Sequence, residues 1–405
     1  MDQTPDPAAQ APVPAMGGRG LLRLIAAQVC LYATMAGMRL ATPLLALQQG
    51  YSPAAVGVLI ALFALTQVFL ALPAGRYADR HGLRRPMAWA VLAASSGTAL
   101  ALLVPTFAAL CVAALMTGGA TGATVIALQR HVGRAATDTS QLKRMFSWLA
   151  IAPAAANFLG PFAAGLLIDH AGRAPADMLA FRVCFGVLAL LPLVCWLLVR
   201  RAPEQPTVLP TPGAAPTRAW DLLREPMFRR LLFVNWLQSS SWDVHAFVLP
   251  VLGHERGMSA AVIGSLLGAF AIAAAVVRML LPLVAARTTE RGVIQASTVV
   301  TASVFCIYPL LHSPWLMGAC SVVLGFALGS VQPMIMSMLH QLTPAHRHGE
   351  ALGLRLMTIN ASSVAMPMLF GSLGAVVGIG GVFWVVGAVV AAGSRAVRGL
   401  ALPAR

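Results

Sequence analysis

Charge is scarce in this chain, and negative charge is scarcer still. Aspartate and glutamate together number 13 in 405 residues, against 28 lysines and arginines, and only 10% of positions are charged. A soluble chain carries about 25% charged residues to cover its surface, so a water-soluble fold is excluded. Lysine occurs once, at Lys143. A membrane-embedded acyl or glycosyl transferase needs acids or histidines clustered at one membrane face, and the sequence shows no such cluster. The six cysteines (Cys30, Cys111, Cys184, Cys195, Cys306, Cys320) fall inside apolar runs without metal-type spacing and read as small packing residues. The net charge of +15 lies between apolar runs and forms no patch interleaved with aromatics, which argues against nucleic acid as a partner.

What is abundant is hydrocarbon. Hydrophobic residues make up 58% of the chain, in runs of about 20 residues, the length that crosses a bilayer core as helix. Twelve such runs lie between residues 22 and 397, which predicts an all-α polytopic membrane protein. With the N-terminus inside, 22 of the 28 basic residues fall on the cytoplasmic side and only Arg173, Arg182 and Arg256 on the other. The positive-inside rule therefore puts both termini in the cytoplasm. The proline-rich stretch Arg200–Arg230 divides six spans from six. The expected organisation is a tail over 1–20, a bundle over 21–200, a linker over 201–227, a second bundle over 228–398 and a tail over 399–405. Gly50-Tyr51-Ser52-Pro53-Ala54-Ala55-Val56-Gly57 echoes Gly257-Met258-Ser259-Ala260-Ala261-Val262-Ile263-Gly264 at an offset of 207 residues, which also aligns Pro43 with Pro250. Two pseudo-symmetric six-helix bundles follow, with a substrate site expected between them at mid-membrane.

The segment from Gly75 to Arg85 sets four arginines and one aspartate between spans 2 and 3. Its pattern G-x-x-x-D-R-x-G-x-R-R resembles the loop between helices 2 and 3 of the major facilitator superfamily. The resemblance implies a secondary transporter in which Gly75, Asp79, Arg80, Gly82, Arg84 and Arg85 latch the cytoplasmic side shut. In the second half, Asp79 maps onto Ala286, so that loop (Arg287, Glu290, Arg291) keeps its charge and loses its acid. Span 5 carries Gly160, Pro161 and Gly165, similar to the packing element of twelve-helix drug:proton antiporters, with alanine at two glycine positions. Span 4 departs from that branch, because Gly118-Gly119-Ala120-Thr121-Gly122-Ala123 has no arginine ahead of it within the membrane.

Buried charge marks function in a membrane. Arg39, Arg278 and Arg355 lie in or near spans, and Asp243 is the one clearly buried acid. Arg39 maps onto Ala246 through the repeat, within about 4.5 Å in depth of Asp243 at 1.5 Å rise per residue. The two are expected to form a proton-coupling pair across the halves, the alternative being that each is satisfied within its own half. Asn235, Gln238 and Trp242 beside Asp243, with Gln332 and Asn360, complete the expected substrate-binding set together with Arg39. His245 reads as a packed histidine, and His340, His346 and His348 as a solvated loop rather than a metal site. The expected activity is alternating-access transport of a small molecule, as proton-coupled efflux, with uptake of an anionic metabolite as the alternative. The partners are then the substrate, protons and lipid bilayer. A monomer in the bacterial inner membrane is expected, without cofactor or metal.

Overall fold

Hydrocarbon offers no water to unpaired backbone groups, so uncharged apolar runs must bond internally as helices. The structure, a computed structural model, describes residues 18–51, 53–172, 177–204, 219–258, 260–284 and 288–400. Among these there is no strand. The first half comprises α1 (Gly18–Gln48), α2 (Pro53–His81), α3 (Arg84–Leu103), α4 (Phe107–Ala135), α5 (Thr139–Leu149), α6 (Ile151–His170) and α7 (Met178–Val199). The second comprises α8 (Pro226–Glu255), α9 (Ala260–Val284), α10 (Glu290–Ile307), α11 (Pro314–Leu342) and α12 (His348–Arg398). Most of the expected linker and both tails lie outside the described residues, as do Ser52, Ser259, Ala286 and Arg287.

Two helices depart from a one-helix-per-span plan. The fifth span is broken at Ala150 into α5 and α6. Spans 11 and 12 run together as α12, turning at Gly378, whose φ of 75° is left-handed and favours glycine. Twelve spans result. Ten helical segments among the described residues are long and apolar enough to cross a membrane by composition alone. The other two are α8 and the first part of α12. In α8 the polar side chains, including Gln238 and Asp243, dilute the hydropathy because they line the cavity described below. The internal repeat is visible in the backbone too: Gly50 and Gly257, 207 residues apart, both have positive φ, at 82° and 68°.

The core is divided unevenly. One apolar cluster gathers residues of both halves at the arginine-rich end, among them Ala71 and Ala78 of α2 with Leu352 and Leu354 of α12. Two others stay within one half each, around Phe63 and Phe185 in the first and around Phe270 and Phe305 in the second. The halves are therefore joined at the basic end.

Candidate transport site and its closed end

Asp79 is placed at the last turn of α2, where it is 6% exposed. Its Oδ1 accepts from Arg130 Nε on α4 at 2.7 Å, and Arg130 itself is 1% exposed. The same carboxylate accepts from the backbone N–H groups of Gly349 (2.9 Å) and Glu350 (3.1 Å). Those donors open α12, so a carboxylate of the first half caps a helix of the second, where unpaired N–H groups and the helix dipole both favour an anion. Glu350 answers with ion pairs to Arg76 of α2 and to Arg347, both at 2.8 Å. The approach is possible because both helices carry glycine there: a Cβ on Gly75 would sit 2.0 Å from Gly349 O, and one on Gly349 2.1 Å from Gly75 O.

The remaining loop residues are placed differently. Gly82 has φ 75°, which ends α2 and turns the chain into α3. Glu204, just beyond the sixth span, accepts from the N–H groups of Leu83 and Arg84, capping α3 within the first half, while the Arg84 guanidinium donates to Ala202 O. Arg80 and Arg85 are exposed, and among the described residues neither has a hydrogen bond or ion pair.

A second seal lies on the other side of the basic end. Glu290 is buried at the start of α10, 3.4 Å from Lys143 Nζ of α5, and accepts from Ser337 and Gln341 of α11, each at 2.9 Å. Lys143 also donates to Thr288 O. The second loop, with Ala286 at the position aligned with Asp79, thus uses an acid four residues further on, at the start of α10. Arg278 adds a further bridge, from α9 to Ala150 O at the break of the fifth span (3.1 Å). His340 and His348 are likewise buried, with ring centroids 4.2 Å apart, so the solvated loop expected there is not formed. Burial, helped by Arg134 and Arg130 and opposed by the bonds to Thr343 O and His340 O, pushes His348 down to about 4.

Beyond this seal a cavity of about 690 Å³ lies between the halves. Arg39 of α1 and Gln67 of α2 face Gln238, Trp242 and Asp243 of α8, Arg278 of α9, Gln332 of α11, and Arg355 and Asn360 of α12. Arg39 and Asp243 thus share the cavity but form no ion pair in this state. Asp243 is bonded to Ser363, and its Oδ2 has no partner. Arg355 is held by Asn235 Oδ1 (3.2 Å) and by Gln332, and Arg278 donates to main-chain carbonyls with its guanidinium over the Trp242 ring. Asn235 is fully buried and is not among the lining residues, so it holds Arg355 from behind. Gln238 donates to Thr298 (2.8 Å), and Asn360 to Leu356 O (2.9 Å). His245 packs in the second half, stacked on Phe270 and bonded to Ser321. Gly160 sits against α1, where a Cβ would be 2.5 Å from Ala33 O. Gly165 has only an ordinary contact with Leu40, and Pro161 lies between them within α6.

Sequence reasoning missed Arg130, Glu350, Glu290 and Lys143 as partners. Each is adjacent to other charge at a span end, where the positive-inside count absorbs it. The repeat offset was the available signal, since it maps Arg130 onto Ser337 and Glu350 onto Lys143.

Two helical bundles around a polar cavity, joined and sealed at one end, define an integral membrane transporter. The chain belongs to the Major Facilitator Superfamily, whose family model matches residues 24–236 and again 231–402. It is 23% identical over 325 residues to the class B tetracycline resistance protein of Escherichia coli, covering 78% of this chain and 77% of that protein. Among solved structures it is similar to a bacterial homologue of the iron transporter ferroportin in an outward-facing state (TM-score 0.78, 14% identity, 94% and 99% of the two chains). It is also similar to the human organic anion transporter MFSD10 (TM-score 0.74, 17% identity, 94% and 99%). A third is the transporter FucP in the outward conformation (TM-score 0.77, 14% identity, 93% and 98%).

Proposed function

We propose that this transporter carries a small organic anion and couples its movement to protons through Asp243. The observation that supports this reading is the charge of the cavity. Among the described residues, three arginines line it against one carboxylate, and none of the three pairs with an acid. Arg278 and Arg355 are held by neutral acceptors, and Arg39 makes no ion pair. Cations in a low-dielectric site attract an anionic ligand strongly, and fixed guanidinium groups suit carboxylate or phosphate geometry.

The proton follows by linkage. Protonating Asp243 removes the negative charge it brings to the cavity, so proton and anion strengthen each other's binding to the same extent. Groups that bind together cross together, which makes symport the direction of coupling. In this cycle the Asp79 and Glu290 contacts hold the basic, cytoplasmic end shut while the cavity faces the other side. A second reading, proton-coupled efflux by exchange, is supported by the span 5 element and by the likeness to a tetracycline resistance protein over 78% of the chain.

Proteoliposomes containing a pH dye separate the two. When panels of mono- and dicarboxylates and organic phosphates are added outside, symport acidifies the lumen with each transported anion; an anion that enters only as protons leave sinks symport. Asp243→Asn is expected to lose accumulation against a gradient while retaining anion exchange, because the amide mimics the protonated acid. Gradient-driven transport by that variant would exclude Asp243 from coupling. Recovery of activity in Arg39→Met with Asp243→Leu would instead mean that the two charges only compensate each other.

A further inference from the structure

Two of the four arginines in the Gly75–Arg85 loop take no part in the closure, and their placement points elsewhere. Both α2 and α3 pack along α4 but touch each other little. A groove of about 580 Å³ is left between them, floored by α4 at Met116, Gly119 and Ala123. Its α2 wall is Thr66, Leu70, Pro73 and Tyr77, and its α3 wall is Pro86, Trp89 and Ala93. Leu70 and Trp89 are 46% and 64% exposed, so the groove opens sideways on the outer surface of the first half.

The polar features are confined to one end. Trp89 Nε1 donates to the Tyr77 hydroxyl across the mouth (3.2 Å), the kind of amphipathic aromatic pair found at headgroup depth. The α2 stripe at 66, 70, 73 and 77 steps by three or four residues, and the next step reaches Arg80. Arg80 lies about 140° around the helix from Gly75, at 3.6 residues per turn, and so away from the second half. On α3 the stripe at 93 and 89 steps back by four to Arg85. Each wall therefore ends in an exposed arginine without a partner among the described residues. Arg76 and Arg84, by contrast, are engaged by Glu350 and Glu204.

We propose that α2, α3 and α4 form a binding site for one anionic phospholipid of the leaflet at the basic end, with an acyl chain in the groove and the phosphate between Arg80 and Arg85. The occupant follows from complementarity along the groove: an apolar slot facing hydrocarbon, an aromatic pair at its mouth and two free cations beyond it. A soluble anion would use the cations and leave the slot empty. A zwitterionic lipid would fill the slot but bring no net charge to the arginines. The proposal rests on the membrane reading of the chain and is independent of what the central cavity carries.

Delipidated protein in detergent is titrated with phosphatidylglycerol or phosphatidylcholine, and bound lipid is counted by native mass spectrometry. One phosphatidylglycerol per chain is expected to persist where phosphatidylcholine is lost, and excess inorganic phosphate should not displace it. Arg80→Gln with Arg85→Gln should weaken that binding about tenfold or more, while Arg200→Gln with Arg201→Gln, also near the basic end, should not. A second measurement needs no charge change: brominated phosphatidylglycerol should quench wild-type tryptophan fluorescence more than brominated phosphatidylcholine does, and Trp89→Phe should remove the difference. Equal retention of the two lipids by the wild type overturns the proposal, as does release by phosphate or equal loss in both arginine pairs.

Discussion

The two seals at the basic end occupy equivalent places in a duplicated structure, yet they are built differently. In the first, Asp79 of α2 meets Arg130 of α4 and caps α12 at Gly349 and Glu350. The residues 207 positions from Arg130 and Glu350 are Ser337 and Lys143, and both contact Glu290. Two of the three places are thus reused, but the acid stands four residues further on, at the start of the next helix, and its buried arginine has become a serine. Instead of capping a helix, the second seal closes with one flexible ammonium and two neutral donors. A buried ion pair that also satisfies helix N–H groups has few geometries open to it. Lysine on a flexible stem has many. The first seal is therefore expected to act as a switch with two distinct positions, and the second as a softer tie.

Breaking the first seal gives the largest expected effect. Asp79→Asn leaves the Arg130 cation buried without its counter-ion, a change of about 3–5 kcal/mol, and weakens two charge-assisted bonds to the α12 N-terminus. Transport at equal membrane abundance should fall at least tenfold, with labelling of a cysteine at the basic end raised; undiminished transport would remove Asp79 from the mechanism. Glu290→Gln should do less, about 1–3 kcal/mol, because glutamine still accepts from Ser337 and Gln341 and Lys143 keeps Thr288 O. If transport in Glu290→Gln falls as far as in Asp79→Asn, the two seals are equals and the contrast fails.

The smallest effect concerns His348, which lies beside the first seal. Its Nε2 donates to His340 O and Thr343 O, leaving Nδ1 buried without a partner. Burial holds the ring neutral, with a value of about 4 against the ordinary 6.5. A base whose pKa is depressed in the closed state is stable there above the ordinary value, and the closed state loses stability as pH falls from 6.5 toward about 4. Opening that hydrates the ring should become easier by about 1 kcal/mol between about pH 7.5 and about pH 6. Cysteine accessibility at the basic end should rise over that interval in the wild type and stay flat in His348→Gln. A slope that survives the substitution assigns the titration to another group.

The membrane fold was legible because its signals are local and physical. Twenty uncharged residues in a row have few structures open to them in lipid, and the twelve runs, the arginine asymmetry and the 207-residue repeat can all be read without knowing any contact. The one hydropathy-poor span, α8, is marked instead by the polar residues that make it unusual. The break at Ala150 had a signal that went unread: Pro153 has no N–H for the carbonyl four residues back, at Leu149, where α5 ends.

The site was legible as an inventory and not as an arrangement. The sequence by itself determined that three arginines and one aspartate lie at membrane depth and that one loop holds Asp79 among four arginines. Only the tertiary structure decided that the three arginines face a single cavity, that Asn235 and Gln332 hold one of them, and that Arg39 and Asp243 stand apart in this state. It also decided which loop charges close the basic end, because Arg76 and Asp79 face α12 while Arg80 and Arg85 face outward. The physical reason is that depth follows from counting residues along a helix, whereas a partner depends on how that helix is rotated and what packs beside it. Glu290 shows the limit most plainly: it stands four residues beyond the aligned position, at the start of the next helix, and only the packing of α5 and α11 around it reveals its part in the second seal.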